Sequence, residues 1–381
     1  MIVLGRYGDP FAKNLSEELQ KYRENISYHP YNYTIFPNGE PLIRIADEPY
    51  MEITMAITKK GLSLMGADIR FPPTSEKIRK KIKNDPNVIL VIRGASGSEW
   101  RPVYEVWNAW VTSKYLKEEM DAEKVYLLLP NMPFGKQDKL FYDEDDNLVD
   151  GAPITVRYAR ELLREYADLL VSFNPHDFRD KTGWIKKGET TIPGASKDKK
   201  GRVLDEKGRV ILPEAEDWTG FAYAINAMPL LVKYVLNSLE NPYVIGPDQS
   251  IKNAIETACP EIKVKYAEKH RDRNESLEVE SKIELPDMKG YDAVLFDDTI
   301  QAGTTMYNVV EEAKKRNPKS ITCAAVHGEF VFNKKLGKSA YDLLKETGAD
   351  IVVTNTIDTP VSKVDVVPLL VEELYSAKLL K

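Results

Sequence analysis

Short apolar runs, each ending in a polar or small residue, recur along the chain. They span residues 88–94, 124–130, 169–175, 242–248, 293–299, 321–328 and 350–356. Runs this apolar are typical of strands buried on both faces, as in a parallel sheet. The pattern therefore predicts at least seven strands that are covered on both sides.

Amphipathic stretches between many of these runs predict helices. Asp9 is expected to cap a first helix that begins at Pro10, and further helical stripes follow Pro153 and Gly303. Strands that alternate with helices predict an α/β fold with two doubly wound parallel-sheet domains. Ligands of such sheets bind beyond the carboxyl ends of the strands. This rule selects residues 174–177, 246–249, 297–305, His327 and 355–358 as candidate site residues.

The segment 185–217 does not follow the alternation, because it is rich in Lys, Gly and Asp and has no helical stripe. Within it, GRVLDEKGRVIL predicts a hairpin with residues 205–208 as the turn. The segment is interpreted as a solvated surface insertion; a lid over a site and a subunit contact are the alternatives. Residues 142–153 are expected to form an exposed acidic loop.

Length and composition favour a soluble protein of two domains. The chain has 381 residues, of which 43% are hydrophobic and 29% charged. The formal net charge of −6 argues against nucleic acid and anionic membranes as main partners. With only two cysteines a disulfide framework is implausible, and no apolar run approaches the ~20 residues of a membrane span. We expect a cytoplasmic protein without a signal peptide.

The segment 294–305, VLFDDTIQAGTT, carries the most chemical information. Asp297 and Asp298 could accept hydrogen bonds from vicinal ribose hydroxyls or hold Mg²⁺ through water. Gly303 would let backbone N–H groups close around a 5-phosphate at a helix N-terminus, where an anion is favoured. Thr304 and Thr305 would add hydroxyl donors. The alternative is a plain strand-to-helix turn with an acid or threonine as its cap.

Eight segments in order resemble the ribose-phosphate pyrophosphokinases, or phosphoribosyl pyrophosphate synthetases. They are residues 1–19, FPNGE (36–40), PNMPFGKQDK (130–139), APITVRYARELL (152–163), FNPHDF (173–178), GPDQ (246–249), AEKHRDR (267–273) and the segment 294–305. This ordered agreement covers most of the chain apart from the 185–217 insertion. The resemblance implies a fold of phosphoribosyltransferase type. It also implies that the β,γ-diphosphate of Mg²⁺–ATP is transferred to the anomeric hydroxyl of ribose 5-phosphate.

The resemblance assigns roles to residues that would act on the polyphosphate. His176 matches a histidine associated with Mg²⁺–ATP, and Asp248 matches an acid implicated in binding a second metal. Lys269 and Arg271 match the basic pair of a loop that closes over the polyphosphate. The alternatives are a structural histidine, a helix cap and a solvated charge run.

Other matched residues imply an adenine site. Gln137 and Asp138 correspond to residues that help to hold ATP. Phe36 and Glu40 resemble residues that a neighbouring subunit offers to the adenine, and Asn38 stands where the family has an acid near the adenine. If this carries over, the protein is a homo-oligomer with shared active sites. The alternative is a loop phenylalanine that packs within its own domain.

The ribose-phosphate segment departs from the family pattern. Family loops read D-D-x-x-D-T-G-G-T, whereas Gln301, Ala302, Gly303, Thr304 and Thr305 form the last five positions here. The neutral Gln301 removes an anionic acceptor or base, and Thr304 adds bulk at the phosphate. Three alternatives to ribose-5-phosphate activity follow from this. They are ADP-ribose as the acceptor, as in phage-type NAD salvage, a catalytically silent regulatory homologue, and a phosphoribosyltransferase.

The predicted domain limits follow the same resemblance. Residues 1–166 form an N-terminal phosphoribosyltransferase-like domain with the ATP-side segments. Residues 167–367 form a second such domain with the ribose-phosphate loop and the insertion. Residues 368–381 form a tail that could pack back on the first domain.

Overall fold

The structure is a computed structural model, and it describes most residues of the chain. These are residues 1–6, 8–35, 41–45, 56–58, 61–63, 76–94, 96–97, 101–135, 155–178, 181–186, 196–197, 203–204, 210–212, 217–246, 249–262, 264–266 and 285–380.

The strands in these ranges are numbered in chain order. They are β1 (Ile2–Arg6), β2 (Ser27–Ile35), β3 (Pro41–Ile45), β4 (Ala56–Thr58), β5 (Gly61–Ser63), β6 (Asn87–Val91), β7 (Lys124–Asn131), β8 (Leu169–Phe173), β9 (Gly183–Trp184), β10 (Ser196–Lys197), β11 (Val203–Leu204), β12 (Val210–Leu212), β13 (Ala222–Ile225), β14 (Pro242–Gly246), β15 (Lys265–Tyr266), β16 (Asp292–Ile300), β17 (Ser320–Gly328), β18 (Phe332–Asn333), β19 (Lys338–Ser339), β20 (Asp350–Thr354) and β21 (Ser362–Val364).

The helices are numbered in the same way. They are α1 (Pro10–Gln20), α2 (Glu76–Asn84), α3 (Arg101–Glu118), α4 (Thr155–Arg164), α5 (Met228–Leu236), α6 (Gln249–Ala258), α7 (Thr304–Lys314), α8 (Ala340–Glu346) and α9 (Val367–Ser376). A short 3₁₀ turn spans His176–Phe178.

Each of the seven apolar runs forms a strand, and the α/β prediction is confirmed. The runs correspond to β6, β7, β8, β14, β16, β17 and β20, and most of their residues are buried. Four of these strands pair in parallel in the order β14-β16-β17-β20. Continuous apolar runs therefore predicted parallel strands covered on both faces.

The chain divides into two compact units. The first comprises Met1–Ile92, Asn108–Leu127 and Tyr166–Asp168, and the second comprises Arg93–Trp107, Leu128–Glu165 and Leu169–Lys381. In the first unit the strands follow the order β3-β2-β1-β6. There β1 is parallel to both neighbours, and β2 and β3 are antiparallel.

Helix α1 packs on β1 in the first unit, as the sequence predicts. The Asp9 side chain accepts a hydrogen bond of 3.0 Å from the N–H of Phe11, and Pro10 begins the helix. A Cβ atom added at Gly5 would lie 2.1 Å from the Cβ of Ala12. The close approach of helix and strand therefore requires glycine at this position.

The second unit holds a six-stranded parallel sheet in the order β15-β14-β16-β17-β20-β21. One face of this sheet is covered by α7 and α8 through a cluster of buried apolar residues. The buried face of α7 consists of Met306, Val309, Val310 and Ala313. The helical stripe expected after Gly303 is thus confirmed, and it anchors the helix whose N-terminus follows the 301–303 loop.

Two smaller features of the second unit also bear on the sequence predictions. Strands β11 and β12 pair antiparallel, which confirms the predicted hairpin, while its turn at 205–208 lies outside the described residues. The acidic segment 142–153 lies outside them as well. None of the helices described here is both long and apolar enough to cross a membrane.

Candidate active site

A cavity of about 220 Å³ lies in the second unit, at the carboxyl ends of β7, β8, β16 and β17. Its lining residues are Pro102, Val103, Asn131, Met132, Phe134, Gly135, Asn174, His176, Thr299, Gln301, His327 and Glu329. Five of them, Asn174, His176, Thr299, Gln301 and His327, belong to the set that the strand-end rule selects. The structure therefore brings His176 and Gln301, two of the predicted site residues, to one cavity.

The turn that carries His176 is held by side-chain hydrogen bonds. Asn174 adopts a left-handed backbone conformation with φ 34°. Its Oδ1 accepts from the N–H of Ala227 at 2.7 Å, and its Nδ2 donates to Oδ1 of Asn226 at 2.7 Å. These bonds fix the chain just after β8, so that the half-buried His176 lines the cavity.

His327 ties three segments together beneath the cavity. Its Nε2 lies 3.0 Å from the carbonyl oxygen of Phe173, and its Nδ1 lies 2.9 Å from Oγ1 of Thr356. A carbonyl oxygen can only accept, so Nε2 carries the proton and donates it. Burial lowers the pKa of His327 to about 4, which keeps the ring neutral at physiological pH.

The two adjacent acids lie within β16, because this strand continues to Ile300. Asp298 is buried, whereas Asp297 is half-buried and its carboxylate accepts from the N–H of Asp298 at 2.8 Å. Neighbouring side chains of a strand point to opposite faces, so the two carboxylates diverge. The connection between β16 and α7 is thereby confined to residues 301–303.

The 301–303 loop leads directly into helix α7. Gly303 has φ +74°, and the first helical hydrogen bond runs from the N–H of Tyr307 to the carbonyl of Gly303. The N–H groups of residues 304–306 therefore have no acceptor within the helix. Thr304 and Thr305 are exposed. This helix end has the backbone geometry that suits an anion such as a phosphate.

Asn333 holds the same loop from one side. Its Nδ2 lies 2.8 Å from the carbonyl oxygen of Ala302 and 2.8 Å from Oγ1 of Thr304. Its Oδ1 accepts from the N–H groups of Lys335 and Leu336. The short β18–β19 hairpin is thus joined to the loop through one buried amide.

A buried ionic group lies behind another wall of the cavity, and its member Glu329 lines that wall. Arg101 donates two hydrogen bonds to Glu105, of 3.0 and 2.8 Å, and a third of 2.7 Å to Oε1 of Glu329. Asn131 also donates to Oε1 of Glu329, at 3.0 Å. Burial raises the pKa of Glu105 to about 7, against the opposing effect of Arg101.

The sequence did not single out Arg101, Glu105, Asn131 or Glu329. The available signals were an acid directly after a strand end, in HGEF, and an Arg–Glu pair spaced i,i+4 in RPVYE. Both are common on solvated surfaces. Their joint burial depends on contacts between residues more than 190 positions apart along the chain.

The remaining predicted site residues lie outside the described part of the chain. They are Phe36, Asn38, Glu40, Gln137, Asp138, Asp248, Lys269 and Arg271. Within the described ranges no group of three or more His, Cys, Asp or Glu residues could hold a metal ion. The carboxylate of Asp297 nevertheless fits Mg²⁺, which keeps several of its own waters and takes one or two protein carboxylates. Cys323 is fully buried, and burial raises the pKa of its thiol to about 12. It therefore does not provide a thiolate ligand for a softer metal ion in place of Mg²⁺.

Comparisons with known proteins agree with this arrangement. Residues 236–366 match the family model of the phosphoribosyl transferase domain, and this range contains β14, β16, the 301–303 loop and α7. A solved structure of phosphoribosylpyrophosphate synthetase from Mycobacterium smegmatis aligns with a TM-score of 0.60 at 18% identity, covering 99% of this chain and 98% of that one. The fold is therefore of phosphoribosyltransferase type.

Curated relatives span nearly the whole chain at low identity. A ribose-phosphate pyrophosphokinase of Pyrococcus furiosus is 23% identical over 311 residues, which cover 81% of this chain and 92% of the relative. One of Methanopyrus kandleri is 24% identical over 373 residues, which cover 98% of each. The shared length, the matched phosphoribosyl transferase domain and the common fold together support the chain as a divergent relative of the ribose-phosphate pyrophosphokinases.

Proposed function

We propose that this protein transfers the β,γ-diphosphate of ATP to the anomeric hydroxyl of ribose 5-phosphate, giving phosphoribosyl pyrophosphate and AMP. The observation that carries the proposal is the cavity in which the His176 turn and the 301–303 loop meet. On one side His176 is a candidate residue for binding Mg²⁺ and the polyphosphate. On the other side the 301–303 loop leads to the N-terminus of α7. The names of the curated relatives support the same reaction class.

The 5-phosphate of the acceptor would bind at the start of α7. The N–H groups of residues 304–306 and the hydroxyls of Thr304 and Thr305 are the donors at this position. The ribose would lie along the loop formed by Gln301, Ala302 and Gly303. Asp297 or Asp298 would accept hydrogen bonds from its hydroxyls.

The nucleotide side of the proposal rests on residues assigned by resemblance. Gln137 and Asp138, with Phe36, Asn38 and Glu40 of a neighbouring subunit, would bind ATP. Lys269 and Arg271 would neutralise charge on the transferring diphosphate. His176 and Asp248 would hold Mg²⁺, and bound Mg²⁺ would neutralise the phosphate oxygens. A homo-oligomer with shared sites, no nucleic-acid partner and the domain limits 1–166, 167–367 and 368–381 belong to this proposal.

The transfer balances without any further reactant. The anomeric oxygen attacks the β-phosphorus of ATP, and the bond between that phosphorus and the α,β-bridging oxygen breaks. AMP leaves with the bridging oxygen, and the hydroxyl proton is released. Since the chemistry needs little covalent help, alignment of the hydroxyl with the leaving oxygen is the main task of the protein.

One observation favours ADP-ribose as a second candidate acceptor. Thr304 and Thr305 are exposed at the start of α7, so the side chains there leave room for a substituent beyond the 5-phosphate. ADP-ribose presents the same terminal ribose with a larger 5-phosphoester. The bonds made and broken at the anomeric hydroxyl are identical for both acceptors.

The proposal is tested by incubating the protein with ATP, Mg²⁺ and either ribose 5-phosphate or ADP-ribose, and separating nucleotides by chromatography. AMP release that depends on ribose 5-phosphate supports the proposed function, and release with ADP-ribose alone selects the second candidate. His176→Gln should lower AMP release at least ~100-fold. His29→Gln, in the first unit, is the matched control and should leave it unchanged. No AMP with either acceptor contradicts the proposal and favours a silent homologue or a phosphoribosyltransferase.

A further inference from the structure

We propose that Glu329 is a further sugar-binding residue of the cavity, and that one of its carboxylate oxygens accepts a hydrogen bond from a hydroxyl of the acceptor sugar. The inference rests on the proposed function for the identity of the sugar. It adds to that function a residue that determines which chemical groups can bind at the part of the cavity lined by Glu329.

The backbone places Glu329 beside the predicted ribose loop. The N–H of Glu329 donates to the carbonyl of Ile300 at 3.0 Å, and the N–H of Val331 donates to the carbonyl of Gln301 at 3.1 Å. Glu329 and Gln301 both line the cavity. The neutral amide at 301 therefore has an anionic neighbour on the adjacent segment.

The carboxylate of Glu329 is anchored through one oxygen. Oε1 accepts from Nη2 of Arg101 at 2.7 Å and from Nδ2 of Asn131 at 3.0 Å. Among the described residues none donates to Oε2, although the side chain is only 12% exposed. The anchoring bonds fix the carboxylate without using its second oxygen, so Oε2 is pre-positioned to accept from a bound molecule.

The charge of this wall selects the bound group. Arg101 is shared between Glu105 and Glu329, so a single guanidinium faces two carboxyl groups. A phosphate placed against Oε2 would face like charge, whereas a hydroxyl could donate to it. The phosphate is favoured instead at the start of α7. The sugar is thereby oriented with its hydroxyls toward Glu329 and its 5-phosphate toward residues 303–305.

The substitution Glu329→Gln tests the proposal with little change of shape. Oε1 of the glutamine can still accept from Arg101 and Asn131, so its NH₂ group replaces Oε2 and turns an acceptor into a donor. Calorimetry should show ribose 5-phosphate binding weakened about 10-fold or more, since a charge-assisted hydrogen bond is lost. ATP binding should change less than about twofold, because a phosphate placed against this carboxylate would face like charge and is not expected there.

Analogues of ribose 5-phosphate that lack the hydroxyl at carbon 1, 2 or 3 identify the partner. For one of them, removal of the hydroxyl should weaken binding to the wild-type protein about 10-fold but hardly affect Glu329→Gln. Equal losses in both proteins for all three analogues would overturn the proposal.

Glu105→Gln is the matched control, because Glu105 contacts the same Arg101 but does not line the cavity. It should leave the discrimination between ribose 5-phosphate and its analogues unchanged. An equal loss of discrimination in both variants would show that Glu329 acts only by holding Arg101, and would overturn the proposal. The binding assay is independent of turnover. A wild-type protein that binds the sugar without releasing AMP contradicts the proposed function alone, and one that binds neither ribose 5-phosphate nor ADP-ribose contradicts both.

Discussion

His327 is a buried side chain that positions the candidate site and takes no part in the proposed chemistry. Its ring joins the end of β8, through the carbonyl of Phe173, to Thr356 beyond β20. The turn that carries His176 begins immediately after Phe173. Because the ring is neutral and has a fixed tautomer, it holds the end of β8. This keeps His176, which follows β8, in place relative to Gln301, which follows β16.

This burial predicts a pH dependence of stability. The pKa of His327 is lowered from 6.5 to about 4 in the folded protein, so the unfolded chain binds an extra proton between these values. The contribution of the buried neutral ring to the free energy of unfolding is fully present above pH 6.5. It is lost as the pH falls toward 4, by about 3 kcal/mol. Urea unfolding at pH 7 and pH 4.5 measures the loss. In His327→Gln the fall in unfolding free energy should be smaller, and an equally steep fall would contradict this assignment.

At the scale of elements, the junction of β16 and α7 depends on the backbone of Gly303. Its φ of +74° is unfavourable for other residues, and a Cβ atom there would lie 2.9 Å from the Cβ of Ala340. Gly303→Ala should therefore lower the unfolding free energy by about 1–3 kcal/mol and weaken ribose 5-phosphate binding.

Gly348→Ala provides the matched control for this substitution. Gly348 has a similar φ of +82°, but an added Cβ would meet nothing within 4 Å. Thermal unfolding and calorimetry of both variants separate backbone strain from the effect on the site. Gly348→Ala should lose stability without losing sugar binding. If Gly303→Ala bound ribose 5-phosphate as tightly as the control, the loop would not be the phosphate site.

The same element shows how far the sequence could predict the fold and the site. The apolar run of β16 and the stripe Met306, Val309, Val310 and Ala313 are local patterns, and both were predicted correctly. The strand-end rule also selected five cavity residues. The link between Asn333 and Ala302 and the group around Glu329 could not be predicted, because each depends on side-chain contacts between distant segments.

At the scale of the whole molecule, the proposed sharing of active sites between subunits gives a complementation test. Phe36→Ala should remove the adenine contact offered to a neighbour, and Lys269→Ala should lower turnover much more than ATP affinity. Each variant alone is expected to be inactive. After dissociation and random reassembly of a 1:1 mixture, about a quarter of the sites should combine both wild-type residues. AMP release should recover to about that fraction, whereas sites formed within one subunit would show no recovery.

The most direct test of the proposed function follows the phosphorus atoms themselves. Phosphorus-31 NMR of the protein with Mg²⁺–ATP and ribose 5-phosphate distinguishes transfer of two phosphoryl groups from transfer of one. We predict that AMP and a new sugar-linked diphosphate with two coupled resonances appear in equal amounts as ATP disappears. ADP with a sugar monophosphate ester, or ATP that persists with ribose 5-phosphate and with ADP-ribose alike, would contradict diphosphate transfer by this chain.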